Sequence, residues 1–124
     1  MRSFGRIKSR TLKPRQASLF DTLLPRIAAD DAHVTAALAK GPVWLEIGFG
    51  GGEHLAAQAA RNPDVTIIGC EPFLNGVGSA LRHVEDGGLD NVLILADDAR
   101  PLLARLPDAA LARIFILFAD PWPK

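Results

Sequence analysis

Leu45-Glu46-Ile47-Gly48-Phe49-Gly50-Gly51-Gly52 decides how this chain of 124 residues is read. Residues 43–47 are an apolar run of the kind that forms a buried strand. The glycines that follow let the backbone turn tightly and approach a ligand with no Cβ intervening. Residues 53–61, rich in alanine, then predict a helix. Outward from this unit the pattern alternates. Strands are expected at 65–70, 92–96 and 113–118, and helices at 75–86, where Gly76 and Gly78 dilute the propensity, and at 99–106, opened by Pro101. The strands are continuous apolar runs rather than alternating ones, as in a parallel sheet covered on both faces. Repeated βαβ units with right-handed crossovers follow, an α/β Rossmann-like class. Upstream, Pro14 suits the first turn of a short helix with Leu19, Leu23 and Leu24 on one side. Pro25 should kink or end it. A second helix is expected at 31–39, capped by Asp30 or Asp31 and terminated by Gly41 and Pro42. The chain divides on this reading into a basic arm with two helices (1–41) and an α/β domain (42–124).

Hydrophobic residues at 48% and charged residues at 23% exclude neither a globular fold nor an enzyme, and the formal net charge is zero. That charge is unevenly spread. Residues 1–26 carry seven basic side chains against one acidic, and residues 27–124 carry seven basic against thirteen acidic. A basic arm next to an acidic body suggests contact with a polyanion; the plainer alternative is a solvated terminus. The single cysteine, Cys70, lies in an apolar run, reads as core filler and suits an intracellular compartment. No signal peptide is visible, and the longest apolar run, 114–119, is far too short to span a bilayer, so no membrane partner is expected. His33, His54 and His83 share no metal-ligand spacing and are read as surface or packing residues, with no metal site.

The turn after the first strand is where open α/β sheets bind ligands. A dinucleotide fingerprint would require glycine at position 53, and the residue there is Glu53. A glutamate at that helix start opposes a pyrophosphate. The spacing therefore suits a ligand without phosphates, and S-adenosyl-L-methionine is the expected cofactor, held by Gly48 and Gly50. Acidic residues follow at each strand end. Glu46 sits where the ligand's ammonium or a bound water belongs, Glu71 can accept both ribose hydroxyls, and Asp98, after Asp97, can receive the exocyclic amine of adenine. Converging carboxylates repel unless a cation lies between them, and a sulfonium with an ammonium supplies one. Either aspartate could instead cap the following helix.

The chain closes on Asp120-Pro121-Trp122-Pro123-Lys124. An aspartate before proline is restricted to extended or turn geometry, which would hold its carboxylate at the mouth of the crevice. Trp122 can stack on a flat base and Lys124 can meet a phosphate or a base oxygen; alone, the segment also reads as a proline-rich turn. Together with Arg2-Ser3-Phe4-Gly5-Arg6, Leu45-Glu46-Ile47-Gly48-Phe49-Gly50, Gly69-Cys70-Glu71 and Asp98-Ala99, it resembles the N-terminal half of the tRNA (guanine-N7)-methyltransferase family. The resemblance runs along essentially the whole chain and is carried most specifically by residues 120–124. It implies a class I S-adenosylmethionine-dependent methyltransferase fold, incomplete here, with the first four parallel strands and their flanking helices. It also implies methyl transfer to N7 of a variable-loop guanosine in tRNA, in the cytoplasm. Glu46, Glu71, Asp98 and Asp120 correspond to donor-binding positions, Asp120 also to the catalytic one, and Lys124, with Trp122, to the substrate side. Members of that family are about twice as long, so the 124 residues are expected to be a fragment, marginal and inactive alone.

Guanine N7 already carries an exposed lone pair, so the resemblance implies catalysis by positioning rather than by a strong base. Asp120 is expected to hold the N1–H and amino edge of the guanine and to offset the charge that develops on the ring. Three rivals stand beside this reading: a methyltransferase of the same fold acting on a protein or small molecule, a non-catalytic module that binds donor or tRNA, and a dinucleotide-dependent oxidoreductase, which Glu53 disfavours.

Overall fold

A computed structural model describes residues 12–117. The elements run α1 (Pro14–Thr22), α2 (Leu24–Ile27), α3 (Asp31–Lys40), β1 (Val43–Ile47), α4 (Glu53–Arg61), β2 (Thr66–Cys70), α5 (Leu74–Gly87), β3 (Val92–Leu95), α6 (Arg100–Arg105) and β4 (Arg113–Ile116). The arm at 1–11 and the closing segment at 118–124 lie outside the described residues.

The four strands form one sheet in the order β3-β2-β1-β4, and every ladder is parallel. β1 pairs with β2 from Val43↔Thr66 to Ile47↔Cys70, and with β4 from Trp44↔Arg113 to Ile47↔Ile116. The chain lays β2 and β3 to one side of β1 and then returns to the other side for β4. The reversal thus falls between β1 and β4, and in open sheets of this kind ligands bind at the carboxyl ends of the strands.

Residues alternate across β1, and each face has its own core. Val43 and Leu45 join Ile68, Cys70, Val34, Ala37 and Leu102 beneath α3 and α6. Trp44 turns to the opposite face, where Leu55 and Ala59 of α4, Val77, Leu81 and Val84 of α5, and Leu19 and Phe20 of α1 pack on Ile67 and Ile94. Leu23 and Leu24 belong to that same cluster, so the N-terminal helices are built into the core of the sheet. Backbone from the same region covers the outer edge of β3: Ala28 bridges Ile94, and the Ala29 N–H donates to the Ile94 carbonyl at 2.9 Å. On the far side, β4 is an edge among the described strands, with Ile114 and Ile116 48% and 56% exposed.

Local chemistry accounts for the helix ends. Asp30 caps α3, its carboxylate accepting the His33 N–H at 2.8 Å. α1 stops at Thr22, and Pro25 lies in the first turn of α2, where a missing N–H breaks no bond. The helix expected to be weak, α5, is the longest of those described at 14 residues. Its glycines serve packing. A Cβ at Gly76 would stand 2.3 Å from the Gly50 carbonyl oxygen, and one at Gly78 would press on Leu12 and Gln16 at 3.1 and 3.2 Å. Propensity is overridden by close approach on two sides of the same helix.

Asn91 ties the turn after α4 to the start of β3. It is buried, and its amide nitrogen donates to the carbonyls of Ala59, Asn62 and Val65 at 2.9–3.0 Å. In the intact protein, Asn91→Ala leaves those carbonyls without this donor and is expected to cost about 2–3 kcal/mol in urea unfolding. Asn91→Asp, which sets an acceptor against three acceptors, should cost at least as much, and a midpoint unchanged in both variants would show that the amide contributes no stability.

Candidate active site

The crevice is built by backbone before any side chain contributes. Gly48 continues β1, its N–H donating to the Cys70 carbonyl at 2.8 Å, and then turns at φ +75°. A Cβ there would lie 2.5 Å from the Leu117 carbonyl oxygen, so the end of β4 closes directly on the loop. On its other side the loop rests on α5 through Gly50 and Gly76. Glu71, at the end of β2, locks this arrangement: its Oε1 accepts the Gly50 N–H at 2.9 Å and its Oε2 accepts the Phe73 N–H at 3.3 Å.

Beside the loop lies a cavity of about 340 Å³, lined by Ile47, Gly48, Cys70, Pro72, Asp97, Asp98, Ala99, Arg100 and Leu103. Its walls are apolar apart from the two aspartates and Arg100. Asp98 is the polar hub of its loop. Its carboxylate accepts the Arg100 backbone N–H at 2.8 Å and pairs with the Arg100 guanidinium, which holds its carboxyl below the usual range. The helix-start alternative is thus realised in part, because Asp98 satisfies the first N–H of α6. Burial pushes the Cys70 thiol up to about 12, aided by Asp98 and Asp97, so Cys70 stays a protonated wall residue rather than a nucleophile.

Glu46 lies on the opposite sheet face from Ile47, in register with Gly69 and Phe115. It is fully buried, at 0% exposure. His54, in the first turn of α4, donates from Nδ1 to Glu46 Oε1 at 2.7 Å, while Glu46 Oε2 is buried without a hydrogen-bond partner. Burial pushes the Glu46 carboxyl up, and the hydrogen bond and charge of His54 pull back against it. The edge of the His54 ring meets Phe115 at 5.1 Å between centroids.

The structure separates the residues singled out from sequence into three groups. Gly48 and Asp98 line one cavity, Gly50 and Glu71 are bonded to each other, and Glu46 lies behind the loop on the other face of the sheet. Asp120, Trp122 and Lys124 lie outside the described residues. Sequence reasoning reads His54 as a surface or packing residue, and the structure makes it the partner of a buried carboxylate. A signal for this exists in the sequence: a glutamate in a buried strand requires a partner, and the helix of the same strand–turn–helix unit offers a histidine eight residues on. Arg100 escapes the sequence reading as well, two residues from the aspartate it occupies. A larger hollow, about 400 Å³, lies between α3 and α6, floored by Val34, Leu38 and Leu102 and rimmed by the Asp31–Arg105 pair, with no converging carboxylates at its base. Among the described residues no group of His, Cys, Asp and Glu could hold a metal ion, and no helix is long and apolar enough to cross a membrane.

Comparison with known proteins agrees with this architecture. A family profile described as "Putative methyltransferase" matches residues 40–124. Over its whole length the chain is 58% identical to a tRNA (guanine-N(7)-)-methyltransferase of Caulobacter sp. (strain K31), of which it covers 56%. It is 55% identical to the protein of the same name from Hyphomonas neptunium, of which it covers 59%. The chain thus spans somewhat over half the length of these curated relatives. Among solved structures, the 16S rRNA methyltransferase KamB superposes with a TM-score of 0.59 at 24% identity, over 75% of this chain and 43% of that one. The O-methyltransferase TomG from Streptomyces achromogenes superposes with 0.51 at 21%, over 94% and 62%. A parallel sheet of order β3-β2-β1-β4, a glycine turn after its first strand and a profile match over more than half the residues lead to one conclusion: the chain belongs to the "Putative methyltransferase" family and has the Rossmann-like fold of class I S-adenosylmethionine-dependent methyltransferases.

Proposed function

We propose that the protein containing these residues transfers the methyl group of S-adenosyl-L-methionine to N7 of a variable-loop guanosine in tRNA, in the cytoplasm. The observation that carries this reading is 58% identity, along the whole chain, to a curated tRNA (guanine-N(7)-)-methyltransferase. The chemistry of the crevice fits the donor. A Cβ at Gly50 would meet nothing within 4 Å, so the loop faces open space there. Acidic side chains stand at or beside the carboxyl ends of three adjacent strands. Such a set favours a cation and disfavours a polyphosphate. When bound, S-adenosylmethionine supplies an electrophilic sulfonium methyl.

The protein's own residues then act by binding and orientation. Gly48 and Gly50 keep the loop free of side chains, so backbone can lie against the donor. Glu71 already bonds the Gly50 N–H, which rigidifies the loop, and its oxygens have further lone pairs for ribose hydroxyls. Asp98 would receive the adenine amine by sharing or exchanging its bond to Arg100. Leu117, the last described residue, leaves its carbonyl against Gly48. Asp120 would hold the guanine edge and offset the charge that develops on the ring, Trp122 would stack on the base, and Lys124 would meet a phosphate or base oxygen. The basic arm would add phosphate contacts that carry little sequence information.

The intact protein, incubated with labelled S-adenosylmethionine and unmodified tRNA, is expected to place label in 7-methylguanosine at the variable loop. Donor binding with no transfer to any tRNA would leave a binding module instead. Asp120→Ala is expected to lower turnover by about 100-fold or more while donor affinity stays nearly unchanged. An equal loss of donor affinity would reduce Asp120 to a donor ligand. Removing residues 1–13 should weaken tRNA binding and flatten its salt dependence, by about 0.9 in log–log slope for each duplex phosphate that the arm neutralises. A salt slope identical to that of the intact protein would assign the arm another role.

A further inference from the structure

Asp98 stands on the cavity wall with its acceptor sites already engaged. A carboxylate offers about four lone-pair sites. Four contacts fall on those of Asp98: Oδ1 accepts the Arg100 backbone N–H at 2.8 Å and Nε–H at 3.1 Å, and Oδ2 accepts Nε–H at 2.9 Å and Nη2–H. Asp97, on the same wall, turns its own Oδ1 back to the Asp98 N–H at 2.7 Å. An N–H group that enters the cavity and reaches Asp98 must therefore displace Arg100 from one of these sites. Only the backbone contact is fixed by the chain; the other three belong to the guanidinium. The Arg100 side chain is 87% exposed, so its guanidinium can leave for water at little cost. It keeps its proton at any working pH, and Asp98 is held below the usual carboxylate range by this pairing, so the contest at Asp98 involves no change of protonation. Arg100 also lines the cavity itself, with Leu103 three residues further along α6.

We propose that Arg100 competes with the exocyclic amine of the donor's adenine for Asp98, and thereby sets how strongly the cavity selects a ring that bears an amine over one that does not. The inference rests on the donor reading given above. The amine gives up water and takes an Asp98 site, while the guanidinium gives up that site and is rehydrated. One bond is exchanged for another, and the net gain is small. A purine without the amine has nothing to offer Asp98, so the ion pair stays closed and costs that ligand nothing. At an aspartate free of arginine the same amine would gain a full charge-assisted bond. With the cavity empty, the pairing is useful in its own right, because it neutralises one of two adjacent carboxylates that would otherwise repel each other. Arg100 acts through Asp98 and is a specificity-determining residue rather than a catalytic one.

Calorimetry of the intact protein with S-adenosylhomocysteine, and with its analogue that has purine in place of adenine, measures this exchange. The two ligands carry the same charges, so whatever Arg100 does to their common part cancels in the ratio of affinities. Arg100→Met keeps an apolar stem on α6 and removes the guanidinium. In this variant S-adenosylhomocysteine is expected to bind about two- to fivefold more tightly, the range of an exposed ion pair, and the purine analogue to bind as in the unaltered protein. Salt screens the pair, so the gap between the two proteins should narrow as sodium chloride rises from about 0.05 to about 0.5 M. Weaker binding of S-adenosylhomocysteine in Arg100→Met overturns the proposal and makes Arg100 a support of Asp98. An equal change for both ligands, or no change for either, overturns it as well. If the unaltered protein binds neither ligand, the donor reading itself fails, a result distinct from binding with an unchanged ratio.

Discussion

Backbone-to-backbone contact at the end of β1 is the constraint on which the rest of this structure depends. The Leu117 carbonyl rests on Gly48, and the Gly50 carbonyl rests on Gly76 of α5. Each approach is closer than a single Cβ would permit. The loop is thereby pinned between a strand that arrives from the far side of the sheet and a helix that arrives from the near side. Glu71 completes the hold by accepting the Gly50 N–H. A crevice made of main chain is rigid without bulk, which suits a site that must hold a ligand in one fixed orientation.

Electrostatics divide the strand ends into two kinds of carboxylate. Glu71 and Asp98 are satisfied locally, by backbone N–H groups and by Arg100. Glu46 is of the other kind: buried to completeness, bonded on one oxygen only, and dependent on a histidine for its charge.

Much of the fold is legible in the sequence because burial on both faces writes a simple signature. β1 and α4 have the expected bounds; the other expected elements shift by one or two residues at their ends, apart from the last strand, whose expected end at 118 lies outside the described residues, and α2 has no counterpart among the expected helices. The parallel βαβ arrangement follows from continuous apolar runs that a half-exposed sheet would not have. What the sequence conceals is tertiary. Gly76 and Gly78 weaken α5 in isolation, and only the approach of Gly50 and of α1 shows why they are there. At the site, the positions of Gly48, Gly50, Glu71 and Asp98 around the strand ends are readable from motif order. Glu46 is readable as a strand residue, but its placement on the opposite face from the cavity depends on alternation counted from Ile47. His54 escapes notice when histidines are weighed against one another for metal spacing, and not against the acid eight residues before.

Gly76 and Gly78 are two positions apart on α5 and so point to nearly opposite sides of it, one against the donor loop and one against α1. A single rod of helix therefore sets the spacing between the loop and the segment from which the basic N-terminal residues lead. No side chain of α5 intervenes at either seat, since a Cβ at Gly76 or Gly78 would press on its neighbour. The distance from that loop to α1 is thus fixed by the diameter of one helix rather than by rotamers that could rearrange.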